Sequence, residues 1–201
     1  MRLEGQERIP SGCAVTGVID RSGKPMSGED MIRSIAVMHD RSNGLGGGFA
    51  GYGIYPDYKD FYAFHLFYDD TFAKQKTEEF LARRFEIAYA SEIQTHKIPE
   101  ITNEPLIYRY FLSPLRRKLE SSHLDEGEYT ARCVNRINAE ITGAYVFSSG
   151  KNMGIFKAVG FPEDVGRFYR LDEYFGYSWT CHGRYPTNTP GWWGGAHPFG
   201  L

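Results

Sequence analysis

The chain has 201 residues, a formal net charge of -2, and 41% apolar and 15% aromatic residues. That is enough to bury a core within one domain and too apolar for a disordered chain. The near-neutral charge leaves no basic excess to neutralise phosphates, which argues against nucleic acid as a partner, and no apolar run reaches the roughly 18 residues that span a bilayer as a helix.

Residues 1–12 form a polar leader of mixed charge, unlike a secretory signal. The composition then changes sharply. Cys13-Ala14-Val15-Thr16-Gly17-Val18-Ile19 is short, β-branched and apolar, which predicts a strand buried on both faces. After a turn at Arg21 to Pro25, Ser27 starts a helix, with Asp30 as an Asp variant of the capping box. Met31, Ile32, Ile35 and Met38 give that helix one buried stripe.

Arg41 to Ile54 is dense in glycine, so the backbone there passes close to something, adopts positive φ, or both. No Gly-Lys-Ser/Thr closes it, so it is not a phosphate loop of the Walker type. A tight helix-to-strand connection accounts for it.

Phe61 to Tyr68 predicts a strand in which His65 is a packed core imidazole. Asp70 or Thr71 caps a helix predicted to run to about Tyr89. Residues 98–104 read as irregular, and Leu106 to Leu112 as a strand. Residues 114–124 fit either a loop or a short helix. Glu126 to about Ile141 reads as a helix with Tyr129, Val134, Ile137 and Ile141 on its apolar side and Cys133 as a small buried residue. Ala144 to Phe147 and Gly154 to Gly160 read as a hairpin with a polar tip. Pro162 starts a helix reaching about Tyr169. Tyr177 to His182 is a strand that delivers Arg184 to the end of a sheet. The pattern is α+β, or layered α and β.

Three cysteines without a CxxC pair make neither a disulfide framework nor a zinc site, so a reducing cytoplasm is the expected compartment. The most chemically loaded stretch is Cys181-His182-Gly183-Arg184-Tyr185-Pro186-Thr187-Asn188-Thr189-Pro190-Gly191-Trp192-Trp193. An Arg there can grip a carboxylate with two parallel hydrogen bonds, and Thr and Asn groups beside it can orient the ligand. The alternative is a structural pair between that Arg and an Asp. Cys13 likewise is either a nucleophile or a buried strand cysteine.

Two separated segments agree with one family. The Cys13-led strand and the Gly183-Arg184-Tyr185-Pro186-Thr187-Asn188-Thr189 stretch resemble class II, N-terminal-nucleophile glutamine amidotransferases. Asn188-Thr189-Pro190-Gly191-Trp192-Trp193 with His197-Pro198-Phe199 looks most like the amidotransferase part of glutamate synthases. The likeness covers about 13–55 and 177–201, and the stretch 60–140 looks like an elaboration.

The resemblance implies an αββα layered sandwich of antiparallel sheets flanked by helices. It implies that Cys13 attacks the side-chain amide of glutamine and forms a glutamyl thioester. Arg184 would hold the α-carboxylate, with Tyr185, Thr187 and Asn188 lining the pocket. Ammonia would pass to a synthase domain or subunit. No cofactor is expected in this chain, whereas such a synthase partner carries flavin and iron–sulfur clusters. His182 and His197 are expected to be structural.

The sequence departs from the family pattern in two ways. Cys13 does not stand first, so residues 1–12 are expected to be a propeptide cut after Gly12, which frees the α-amine that the family uses as its base. The family's oxyanion Asn-Gly pair and later substrate-binding Asp are expected beyond Leu201, because the Asn43-Gly44 pair is in the wrong place for that role. Two alternatives follow: a non-catalytic or regulatory homologue that binds a synthase partner, or an N-terminal-nucleophile amidohydrolase with another acyl substrate.

Overall fold

The computed structural model describes residues 12–186 and 188–200. The expected leader, apart from Gly12, lies outside the described residues, as do Thr187 and Leu201. In chain order the strands and α-helices are β1 (Ala14–Ile19), β2 (Met26–Ser27), α1 (Gly28–Ala36), β3 (Gly47–Tyr52), β4 (Tyr62–Tyr68), α2 (Thr71–Ala82), β5 (Phe85–Glu92), β6 (Leu106–Pro114), α3 (Arg116–Ser122), α4 (Glu126–Glu140), β7 (Ala144–Ser148), β8 (Met153–Ala158), α5 (Pro162–Phe168), β9 (Phe175–Gly176) and β10 (Ser178–Gly183).

Among the described residues these strands make two four-stranded antiparallel sheets, ordered β1-β10-β3-β8 and β5-β6-β4-β7, and a ribbon of β2 with β9. The architecture is mixed α+β, as the sequence predicts. Helices α1 and α5 cover one face of the first sheet, and α2 and α4 cover one face of the second.

Local chemistry starts four of the five described α-helices. The Ser27 hydroxyl accepts from the Glu29 N–H at 3.2 Å at the head of α1, while Asp30 turns to pair with Arg33 and does not close a capping box. Asp70 and Asp125 accept from Ala73 and Glu128 N–H at 2.8 Å to cap α2 and α4. Pro162 occupies the first turn of α5, where its missing N–H has no intrahelical partner to lose. Helices α1 and α5 touch closely at Gly166, where a Cβ would come within 2.5 Å of Ile32 Cγ1. Side chains such as Phe49, Phe156, Phe168 and Trp179 fill the core on the first sheet, and Phe64, Leu66, Tyr110, Leu112 and Ile137 fill that on the second.

Three expectations are corrected. The helix from Asp70 stops at Ala82, and Phe85–Glu92 is strand β5, whose backbone pairs along β6. Residues 144–160 do not form a hairpin: β7 pairs with β4 in the second sheet and β8 with β3 in the first, so the polar tip carries the chain from one sheet to the other. Strand β1 is not buried on both faces. It is an edge strand, and Val15 and Ile19 are 65% and 63% exposed.

Residues 114–124 contain the short helix α3. The stretch 60–140, expected as an elaboration, supplies β4, β5 and β6 of the second sheet with α2, α3 and α4. His65 on β4 ties the two sheets together. Its Nδ1 lies 2.8 Å from the carbonyl of Ile155 on β8, and its Nε2 lies 2.9 Å from the Tyr55 hydroxyl. It is the packed core imidazole that the sequence predicts.

Candidate functional site

The ladder between β1 and β10 pairs Ala14 with Gly183. Continuing that register by one step sets Cys13 opposite Arg184, at the end of the sheet where the sequence delivers the Arg. Cys13 is exposed, whereas Cys133 and Cys181 are buried. Burial pushes the thiols of Cys133 and Cys181 above their ordinary value, and that of Cys181 well above it. Cys13 is therefore not the buried strand cysteine that the alternative required, and of the three it is the thiol a substrate can reach.

Arg184 is held at its backbone from several sides. Its N–H donates to the Gly46 carbonyl at 2.8 Å, and its own carbonyl accepts from Ser42 Oγ at 3.0 Å and from the Asn43 N–H at 3.3 Å. The Asn43 side-chain amide donates to the Pro186 carbonyl at 3.2 Å. The guanidinium donates through Nη2 to Thr189 Oγ1 at 2.7 Å, while its buried Nη1 has no hydrogen-bond partner among the described residues. The alternative reading, a structural Arg–Asp pair, finds no such Asp among the described residues. Tyr185 is half-buried directly after the Arg, Asn188 is exposed, and Thr187 lies outside the described residues.

The glycine run explains how this segment fits. Gly44 and Gly46 have φ of +73° and +148°, values that side-chain-bearing residues rarely adopt. A Cβ on Gly48 would lie 2.4 Å from the His197 carbonyl oxygen. The backbone after Arg184 thus crosses the face of β3 where no side chain stands. Both readings of the glycines hold, positive φ and close approach. The two indoles anchor this crossing: Trp193 packs edge-on against Phe67 and Phe168, and Trp192 against Tyr145.

Successive pairings align Val15, His182, Gly48 and Lys157 across the first sheet, two rows from Cys13 and Arg184. His182 stacks on His197 with ring centroids 4.6 Å apart, and its Nδ1 is buried without a partner among the described residues. Lys157 is fully buried. Its Nζ donates to the Gly194 carbonyl at 2.8 Å and lies 4.2 Å from the Phe199 ring centroid.

Burial lowers Lys157 to about 7, and burial followed by the charges of His197 and Arg184 lowers His182 to about 4. His197 is lowered too, by burial and then by Arg184 and Lys157. Both imidazoles are therefore neutral at neutral pH. Sequence reasoning passed over Lys157. Its signal was a charged residue inside the apolar strand Gly154-Ile155-Phe156-Lys157-Ala158-Val159. Among the described residues no group of three or more His, Cys, Asp and Glu side chains could hold a metal ion.

No family model matches the chain. An uncharacterized protein of Archaeoglobus fulgidus is 52% identical over 190 residues, which cover 93% of this chain and 50% of that protein. The chain thus spans about half the length of the curated relative it matches.

Proposed function

We propose that this chain is the glutamine-hydrolysing part of a class II amidotransferase similar to that of glutamate synthases. What supports the reading is that the β1–β10 ladder ends at the Ala14–Gly183 pair, which brings the exposed Cys13 and Arg184, the next residue on each strand, to one sheet end. A thiol nucleophile and a carboxylate clamp are the two groups the reaction needs side by side. The helix layer on each antiparallel sheet is compatible with the αββα sandwich of the N-terminal-nucleophile hydrolases.

In this mechanism, cleavage after Gly12 exposes the α-amine of Cys13, whose ordinary pKa of about 7.7–8.0 suits a general base. The amine takes the thiol proton, and Sγ attacks the side-chain carbonyl carbon of glutamine. The tetrahedral adduct collapses with protonation of the leaving nitrogen, and ammonia departs to a synthase partner. Water then cleaves the thioester to glutamate. Arg184 holds the α-carboxylate throughout, with Tyr185, Thr187 and Asn188 beside it. The chemistry at Cys13 draws on this chain's own residues, and flavin and iron–sulfur clusters would belong to the partner.

A second reading is a non-catalytic homologue that binds a synthase partner. It is favoured by the peptide bond that occupies the nitrogen of Cys13 in the sequence. Ammonia release from glutamine, measured on the full polypeptide that carries this sequence, separates the two. Release that disappears in Cys13→Ala supports catalysis; no release, or equal release from both, refutes it. Intact mass settles the base, because an active protein that retains Met1 to Gly12 rules out the free-amine step.

A further inference from the structure

A cleft lies at the other end of β3 from the glycines beside Arg184. It has a volume of about 560 Å³, and its walls include Tyr55, Tyr89, Tyr174, Phe175 and Gln94, with Arg109 among them. Arg109 stands on β6, opposite His65 of β4 and Ser91 of β5. Its guanidinium carbon lies 5.1 Å from the Tyr55 ring centroid and 5.3 Å from that of Phe111, and Nη2 donates to Ser91 Oγ at 3.3 Å. Its Nε is buried with no hydrogen-bond partner among the described residues. A largely buried cation flanked by aromatic faces and by the hydroxyls of Ser91, Tyr55 and Tyr174 still keeps its Nε donor for an anion.

The rest of the cleft narrows the anion. Phe175 and Tyr89 are 54% and 45% exposed, leaving apolar rings at the opening. The other charges on the wall are Arg170 and Glu173, which pair with each other, and the exposed Glu92. That balance accepts a single negative charge and disfavours a doubly charged phosphate.

We propose that this cleft binds a small organic acid, with its carboxylate on Arg109 and a flat apolar body between Tyr89 and Phe175. The inference does not depend on the reading of Cys13 and Arg184.

The test is calorimetric titration of the protein at pH 7 with phenylacetate, with its neutral amide phenylacetamide, and with inorganic phosphate. Saturable binding of phenylacetate is expected, about tenfold or more tighter than that of either comparison ligand. Arg109→Gln should abolish it and Tyr89→Ala should weaken it severalfold, with thermal melting used to confirm folding. Tyr89→Ala changes an exposed ring, so it and the amide comparison remain decisive if Arg109→Gln does not fold. No saturable binding up to roughly 10 mM, equal binding of the amide or of phosphate, or an unchanged Tyr89→Ala would each overturn the assignment.

Discussion

Lys157 Nζ donates to the carbonyl of Gly194 at 2.8 Å, so a buried amine on β8 ties down the segment that follows Arg184. Its folded pKa of about 7 lies below the ordinary 10.5 because burial disfavours the ammonium. Between those values the unfolded chain binds a proton that the native state lacks, so this group makes stability rise with pH from 7 to 10.5. Lys157→Met keeps the length and removes the titration. The stability difference between variant and wild type should therefore shift in favour of the wild type by roughly 1 kcal/mol per pH unit between pH 8 and 10. Urea unfolding across that range checks it, and a difference that does not move with pH contradicts the burial argument.

His65 gives the same linkage in acid. Burial holds it at about 3, below the ordinary 6.5, so between those values only the unfolded chain takes up its proton. Stability from this group is complete above 6.5 and declines as pH falls toward 3. His65→Gln loses ring contacts with Phe147 and Phe156 and should cost about 1–3 kcal/mol at pH 7. At pH 4.5 the gap should narrow by about 2 kcal/mol, since the variant has no imidazole to protonate on unfolding. Denaturant midpoints at the two pH values provide the comparison.

How much of this was legible in the sequence depends on whether a signal was local. Helix α4 has its Asp125 cap and a 3.6-residue apolar stripe, and α5 has its leading Pro162, so both were readable in type and extent. Strand β5 was not, because Phe85, Ile87 and Tyr89 follow the helix before them with no Gly or Pro between. That β7 and β8 join different sheets is a tertiary choice that no turn residue records. The apolar run of β1 looks the same whether or not a layer covers it. Cys13 and Arg184 each stand out in the sequence as candidate site residues, but that they come to one sheet end follows only from the β1–β10 register. Lys157 and Arg109 each sit within an apolar strand, where a lone charge carries no sign of what lies above it.

Gly48 supports the candidate site without touching a ligand. A Cβ there would meet the His197 carbonyl oxygen at 2.4 Å and Lys157 Cβ at 2.7 Å, and neither group is the loose end of a flexible chain. Gly48→Ala should push the segment from Gly194 to His197 off the sheet at a cost of about 1–3 kcal/mol. It should also disturb the stacking of His197 on His182. Urea unfolding gives the cost, and exchange of the Arg184 and Ala196 amide protons reports the displacement. An unchanged midpoint would mean that the crossing segment yields freely.

Arg184→Lys tests the proposed clamp on the α-carboxylate of glutamine. The guanidinium uses one nitrogen to reach Thr189 and keeps another buried, on a backbone pinned by Gly46, Ser42 and Asn43. Lysine restores the charge but not the planar fork, so it cannot hold Thr189 and a carboxylate in the same geometry. A charged hydrogen bond is worth about 1.5–3 kcal/mol, so KM for glutamine should rise roughly tenfold to a hundredfold. The α-carboxylate stays charged from ground state to transition state, so kcat should change less than about threefold. Thr189→Val, which loses only the hydroxyl that orients the guanidinium, should give a smaller rise in KM of the same kind. Steady-state ammonia release over a range of glutamine concentrations separates the two constants. A fall in kcat at unchanged KM would assign Arg184 to the reacting centre, away from the α-carboxylate.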